Sequence, residues 1–181
     1  MDTVARDAGV SLSRRAYADG LTLIELLTTV VIVAILFAVA VPSFRNASLG
    51  SRLSASANDL LASVQLARSE AIKRNVAVTL CASADGLSCA GSGGWEQGWI
   101  TVIDPLGVAT VLQHQQSLPD GLLLTQAGGT AWLDFRPIGI GATAAVFTVC
   151  RDDPDGSQER VVNVTATGSA YVTRTETGSC S

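Results

Sequence analysis

The sequence contains one histidine, His114, within Gln113-His114-Gln115-Gln116-Ser117. A histidine base needs a nucleophile and an orienting carboxylate in reach. Ser117 and Asp120 lie near it in sequence, but the segment matches no catalytic signature. His114 therefore reads as an exposed residue at a strand end, and no enzymatic activity is expected. Three carboxylates cluster in Arg151-Asp152-Asp153-Pro154-Asp155-Gly156. Oxygen-rich loops suit calcium, but this run lacks the alternation and terminal glutamate of an EF-hand. It reads as a solvated turn between strands. The four cysteines, Cys81, Cys89, Cys150 and Cys180, lack the Cys-x-x-Cys spacing of a zinc site. Neither metal nor cofactor is expected. Three disulfide pairings are open. The expected one joins Cys81 to Cys89 across the Asp85-Gly86 turn, and Cys150 to Cys180 near the C-terminus.

The most unusual placement of a charged group is Glu25. From Leu21 to Val41, 17 of 21 residues are apolar, and from Leu26 to Phe44 there is no charge. About 20 such residues make a helix that crosses a bilayer core of about 30 Å. A carboxylate at membrane depth costs several kcal/mol unless it is paired or snorkels to the interface. Arg6, Arg14 and Arg15 precede the segment, which keeps the N-terminus cytoplasmic and sends the rest across. The exported side is where disulfides persist. A secretory signal peptide cut near Ala38-Val39-Ala40 is the alternative. The length of the apolar run and the presence of Glu25 count against it.

This concentration explains the composition. The 181 residues are 48% apolar and only 15% charged, with a mean hydropathy of +0.35. The net charge of −4 does not indicate a strongly basic nucleic-acid binder. Outside the apolar segment the composition is that of an ordinary globular domain, long enough to bury a core.

The segment Gly20-Leu21-Thr22-Leu23-Ile24-Glu25-Leu26-Leu27 resembles the type IV prepilin signal, with Leu21 where phenylalanine is usual. The resemblance implies that a prepilin peptidase cuts after Gly20 on the cytoplasmic side and N-methylates Leu21. It also implies that Glu25 faces the N-terminal amine of a neighbouring subunit's Leu21 in a filament, which removes its burial cost and sets axial register. Pro42 falls where pilin helices often carry a kinking proline, and it removes one helical hydrogen bond.

Beyond Pro42, Leu53, Ala57, Leu60, Val64, Ala67 and Ala71 alternate in steps of four and three, which is one face of an amphipathic helix. One helix is expected from about residue 21 to 75. From Val76 the texture turns to short β-rich runs, predicted at 76–81, 98–104, 108–113, 122–125, 131–136, 143–150, 160–166 and 170–174. Turns are marked by Asp85-Gly86, Gly93-Gly94, Asp104-Pro105, Pro119-Asp120-Gly121, Gly128-Gly129 and Asp155-Gly156. The fold class is α+β, a long N-terminal helix on an antiparallel β-rich domain. The expected organisation is a cleaved leader at 1–20, a transmembrane and assembly helix at 21–44, an amphipathic half at 45–75, and a periplasmic domain at 76–181.

The order Leu80-Cys81, Cys89, Gly94-Trp95-x-x-Gly98-Trp99, Asp104, Phe135-Arg136-Pro137-x-Gly139, Thr148-Val149-Cys150 and Cys180 resembles the H-type pseudopilins and FimT/FimU minor pilins. Trp95 and Trp99 are expected as core aromatics. Some FimT-like proteins bind DNA through a Gly-Arg-x-Arg motif near the C-terminus. Here that stretch is Gly168-Ser169-Ala170-Tyr171, leaving only Arg160 and Arg174 as candidate phosphate contacts. The resemblance thus implies a structural subunit of a type IV pilus or type II secretion pseudopilus, priming or capping assembly, with DNA uptake as the alternative. The implied partners are the prepilin peptidase, other minor and major pilins or pseudopilins, and the inner-membrane assembly platform. Nucleic acid is not expected among them. The implied location is the inner membrane and then the filament tip.

Overall fold

The structure is a computed structural model that describes residues 20–91, 94–104, 106–138, 141–151 and 159–175, without the side chain of Asn46. Helix α1 runs Leu23–Arg74, with Pro42 inside it. The strands are β1 Val78–Ala82, β2 Trp99–Ile103, β3 Thr110–Gln115, β4 Leu122–Gln126, β5 Trp132–Phe135, β6 Ala145–Arg151, β7 Glu159–Val164 and β8 Ala170–Thr175. A single 3-10 turn at Trp95–Gln97 precedes β2. The chain divides into two compact units, with the boundary after Ser43.

In the first unit, the helix begins where Thr22 caps it. The Glu25 amide donates to Thr22 Oγ1 at 3.2 Å, and the Leu26 amide donates to the Thr22 carbonyl at 3.1 Å. Thr22 and Glu25 have the Thr-x-x-Glu spacing of a capping box, and Glu25 lies in the first turn, where a negative charge meets the positive end of the helix dipole. Thr28 and Thr29 donate their hydroxyls to the carbonyls of Glu25 and Leu26, at 3.0 and 2.9 Å. These threonines therefore satisfy themselves within the helix. None of the most apolar 18-residue window is buried.

The second unit is built around the rest of α1. Leu53, Ala57, Leu60, Val64, Ala67 and Ala71 are each fully buried. This is the face set by the 3.6-residue period, and each leucine contributes about 1.5–3 kcal/mol by leaving water. The helix ends at Asn75, whose φ of 55° is the left-handed cap conformation. Lys73 and Arg74 sit in the last turn, where cations meet the negative end of the dipole, and both bond Glu70.

The strands form two four-stranded sheets rather than one. The first has the order β3-β2-β1-β5 and the second β4-β6-β7-β8, and every pairing is antiparallel. Both sheets contribute to the core that holds the helix face: Val78, Leu80, Leu133 and Phe135 from the first, Leu124, Phe147, Val149 and Val162 from the second. Trp95 bridges them, meeting Phe147 edge-to-face with ring centroids 4.8 Å apart. Alternation along β1 sends Val78, Leu80 and Ala82 into that core and Cys81 to the opposite face, where it joins Ile100 and Val102 in a small second cluster.

Two polar contacts, one buried and one half-buried, lock the helix to the sheets. Trp99 donates its indole N–H to Ser63 Oγ at 2.9 Å, and Ser63 donates in turn to the Asp59 carbonyl. Arg160 on β7 donates to Ser54 Oγ at 3.0 Å and to the Gly50 carbonyl at 3.4 Å. Leu60→Ala is expected to destabilise this unit by about 2–5 kcal/mol through the lost burial and the cavity left behind. Val33→Ala, on the exposed apolar segment, should leave its unfolding midpoint unchanged. Urea unfolding of the full chain in detergent, followed by tryptophan fluorescence, distinguishes the two.

Candidate functional site

The residues marked by the sequence fall in separate places. Gly20, Leu21 and Thr22 precede α1 in non-helical conformation, and Gly20 and Leu21 are exposed. Among the described residues nothing lies within 4 Å of the position a Cβ on Gly20 would take. Glu25 stands one helical turn on, exposed, at the head of the bare apolar segment. Pro42 lies near the far end of that segment, and its missing N–H withdraws the donor that the Ala38 carbonyl would otherwise receive.

The Cys81–Cys89 disulfide is formed, with Cα atoms 5.5 Å apart. Its loop is organised by Asp85. Oδ1 accepts from the amides of Leu87 and Ser88, both at 2.9 Å, and from Ser83 Oγ at 3.0 Å, while Oδ2 accepts from Ser88 Oγ at 2.7 Å. These hydrogen bonds, that from the Ser88 hydroxyl first, hold the Asp85 carboxyl well below the usual carboxylate range. Gly86 takes a φ of 71°, and a Cβ there would come within 2.7 Å of the His114 imidazole. His114 itself is exposed near the end of β3 and covers this turn rather than addressing a nucleophile.

Cys150 is disulfide-bonded. Cys180 and the acidic run at 152–155 lie outside the described residues. Among the described residues no group of three or more His, Cys, Asp and Glu is placed to hold a metal. Arg160 and Arg174 are cross-strand partners on β7 and β8. Arg174 is exposed, but Arg160 turns its guanidinium into the helix contacts described above. Partial burial first, and the Arg174 charge second, lower the affinity of Arg160 for its proton. The two arginines are thus not an open pair on the surface.

Sequence reasoning did not single out Thr22, Ser63 or the Arg160–helix contact. Thr22 carried a signal, the Thr-x-x-Glu spacing before an apolar run. Ser63 and Ser54 carried none, because their partners are distant in sequence and only the packed sheets bring them near.

A long helix packed on antiparallel sheets, with its N-terminal half bare and apolar, defines the pilin-like class of filament subunits. Solved structures agree. The type IV minor pilin FimU of Pseudomonas aeruginosa PAO1 superposes with a TM-score of 0.59 at 23% identity, covering 72% of this chain and 96% of that one. The minor pseudopilin EpsH from the type II secretion system of Vibrio cholerae gives 0.53 at 14% identity, covering 68% and 97%. None of the curated protein sequences matches the chain. Residues 56–168 match the family described as Type II transport protein GspH, and the chain belongs to that family. It is a member of the type IV minor pilin and H-type pseudopilin group, whose members are structural pilins.

Because Asp85 ionises more readily in the folded loop than in an open one, it stabilises the loop above the ordinary carboxylate pKa, and that stabilisation is lost as pH falls through the folded value. At neutral pH, Asp85→Asn is expected to speed hydrogen exchange at the Leu87 and Ser88 amides. Acidification should progressively close the gap between variant and wild type. Removing the disulfide in Cys81→Ser/Cys89→Ser should cost about 2–3 kcal/mol on the chain-entropy account.

Proposed function

We propose that this protein is a minor subunit of a type IV pilus or type II secretion pseudopilus that primes or caps filament assembly and has no catalysis of its own. The observation that carries the reading is the pairing of a GspH domain with an N-terminal helix whose apolar segment is left bare by the described residues. Such a surface must be covered by lipid or by other helices. An inner-membrane anchor supplies the first, and neighbouring pilins in a filament the second. The globular unit then lies on the periplasmic side and reaches the filament tip.

The same reading gives Gly20 and Leu21 their role. An exposed, non-helical junction suits entry into a protease cleft, and a glycine, lacking Cβ, lets the backbone take the angles such a cleft requires. The prepilin peptidase cleaves after Gly20 and methylates Leu21, and the inner-membrane platform receives the mature subunit. Glu25, exposed and one turn from the new amine, pairs with the N-terminus of a neighbouring subunit. Pro42 supplies a point where the helix ladder loosens during packing. Leader, anchor, amphipathic half and periplasmic domain then correspond to 1–20, 21–44, 45–75 and 76–181.

Mass spectrometry of the protein purified from membranes should give an N-terminus at N-methyl-Leu21. A start near Ser43 would instead identify an ordinary signal peptide and sink the proposal. Glu25→Ala should be cleaved but fail to enter filaments in a shear-and-immunoblot assay. Normal incorporation would refute the charge-pairing role.

DNA binding for natural transformation is the alternative function. Arg160 is committed to the helix, and no arginine occupies Gly168–Tyr171. Gel shifts with the 45–181 fragment at low salt should show no micromolar binding of duplex DNA.

A further inference from the structure

The first turns of α1 beyond the apolar segment carry an unusual stripe. Arg45, Ser48, Leu49 and Arg52 fall at i, i+3, i+4 and i+7, on one helix face. The two arginines are separated by about 10 Å along the axis. Arg151, the last residue of β6, faces the same space. It is the register partner of Leu122, at the start of β4. Together these elements line a groove of about 560 Å³. Phe44, 76% exposed, and Leu49 give it an apolar side. Among the described residues that line it, three are arginines and one, Asp120, is a carboxylate. Among the described residues none of these three guanidinium groups forms an ion pair or hydrogen bond. Arg160, by contrast, is satisfied by the helix.

Position along the chain says what this groove meets. Arg45 is the first charged residue after the uncharged run Leu26–Phe44. With that run in the bilayer, Arg45 stands at the edge of the hydrocarbon, and Arg52 about 10 Å farther out. The headgroup layer on each side is about 5–7 Å thick. The arginines therefore bracket the depth at which lipid phosphates lie. Guanidinium groups bind phosphate oxygens through paired, geometrically matched hydrogen bonds. An apolar wall beside them suits the start of an acyl chain.

We propose that the Arg45–Arg52–Arg151 groove binds the phosphate headgroup of an anionic phospholipid on the leaflet where the anchor emerges, holding the subunit at a defined height before assembly. The three guanidinium groups favour phosphatidylglycerol over phosphatidylcholine, whose quaternary ammonium they repel. The proposal rests on reading 21–44 as a membrane anchor.

The test uses the mature full-length chain in nanodiscs of equimolar phosphatidylglycerol and phosphatidylcholine, with retained lipids identified by native mass spectrometry. Wild type should retain phosphatidylglycerol preferentially. Arg45→Gln, Arg52→Gln or Arg151→Gln should each reduce the preference by about fivefold, the effect of one cation near an anionic lipid surface. The triple variant should lose the preference while still inserting and keeping its near-ultraviolet dichroism. Insertion with equal retention of both lipids, or an unchanged preference in the triple variant, would overturn the proposal and leave the anchor intact. Failure to enter the discs would overturn the anchor reading and this proposal with it. Displacement of the lipid by inorganic phosphate would mark a free-anion pocket, and tighter binding of a short duplex DNA at physiological salt would mark a nucleic-acid surface. A stable second copy docked on the groove would mark a subunit interface. Each of these three results overturns the lipid assignment.

Discussion

One helix must satisfy two environments, and the rest of the molecule follows from that constraint. Before Ser43 its apolar side chains are exposed among the described residues. From Leu53 on, one narrow face is fully buried, while Asp59, Lys73 and Arg74 on the other faces stay exposed. A single amphipathic stripe is too narrow to make a core alone, so both sheets converge on it. The small residues in the stripe, Ala57, Ala67 and Ala71, let strands approach closely. The leucines and Val64 fill the space between the sheets. The indole of Trp99 and the guanidinium of Arg160 then fix register between helix and strands, because each has a buried or half-buried donor that needs a specific acceptor.

This division of labour explains where stability and function separate. The globular unit holds a continuous core and a disulfide-stapled loop ordered by the Asp85 carboxylate. It needs nothing from the first unit to bury its apolar surface. The first unit satisfies its own backbone and threonine hydroxyls but leaves its side chains for a lipid or protein environment to cover. A structural subunit of a GspH-family filament needs both properties. It must be stable as a folded module and incomplete as a surface.

Much of this was legible in the residues. The 4,3,4,3,4 spacing from Leu53 to Ala71 named the buried face, because helix periodicity is local and rigid. All eight strands lie where the β-rich runs and turn signals placed them, although the ends shifted by one or two residues, as where Asn75 and the turn after it delay β1 to Val78. The arrangement of those strands was not legible. β1 pairs with β5 across more than fifty residues, and the chain alternates between two sheets. Alternating apolar strands look alike whichever sheet they join. The small cluster of Cys81, Ile100 and Val102 on the far side of β1 follows from that pairing and has no sequence signature of its own.

The sequence by itself therefore determined the helix, its apolar half, the Gly20–Glu25 junction and the separation of a β-rich domain. Each depends on composition or short-range spacing. Only the tertiary structure decided that Arg160 serves the helix, that Ser63 accepts from Trp99, and that Arg45, Arg52 and Arg151 share one groove. Those pairings join residues dozens of positions apart. The physical reason is that the chain's local preferences set what each segment is, whereas the burial of two sheets on one helix face sets which segments meet.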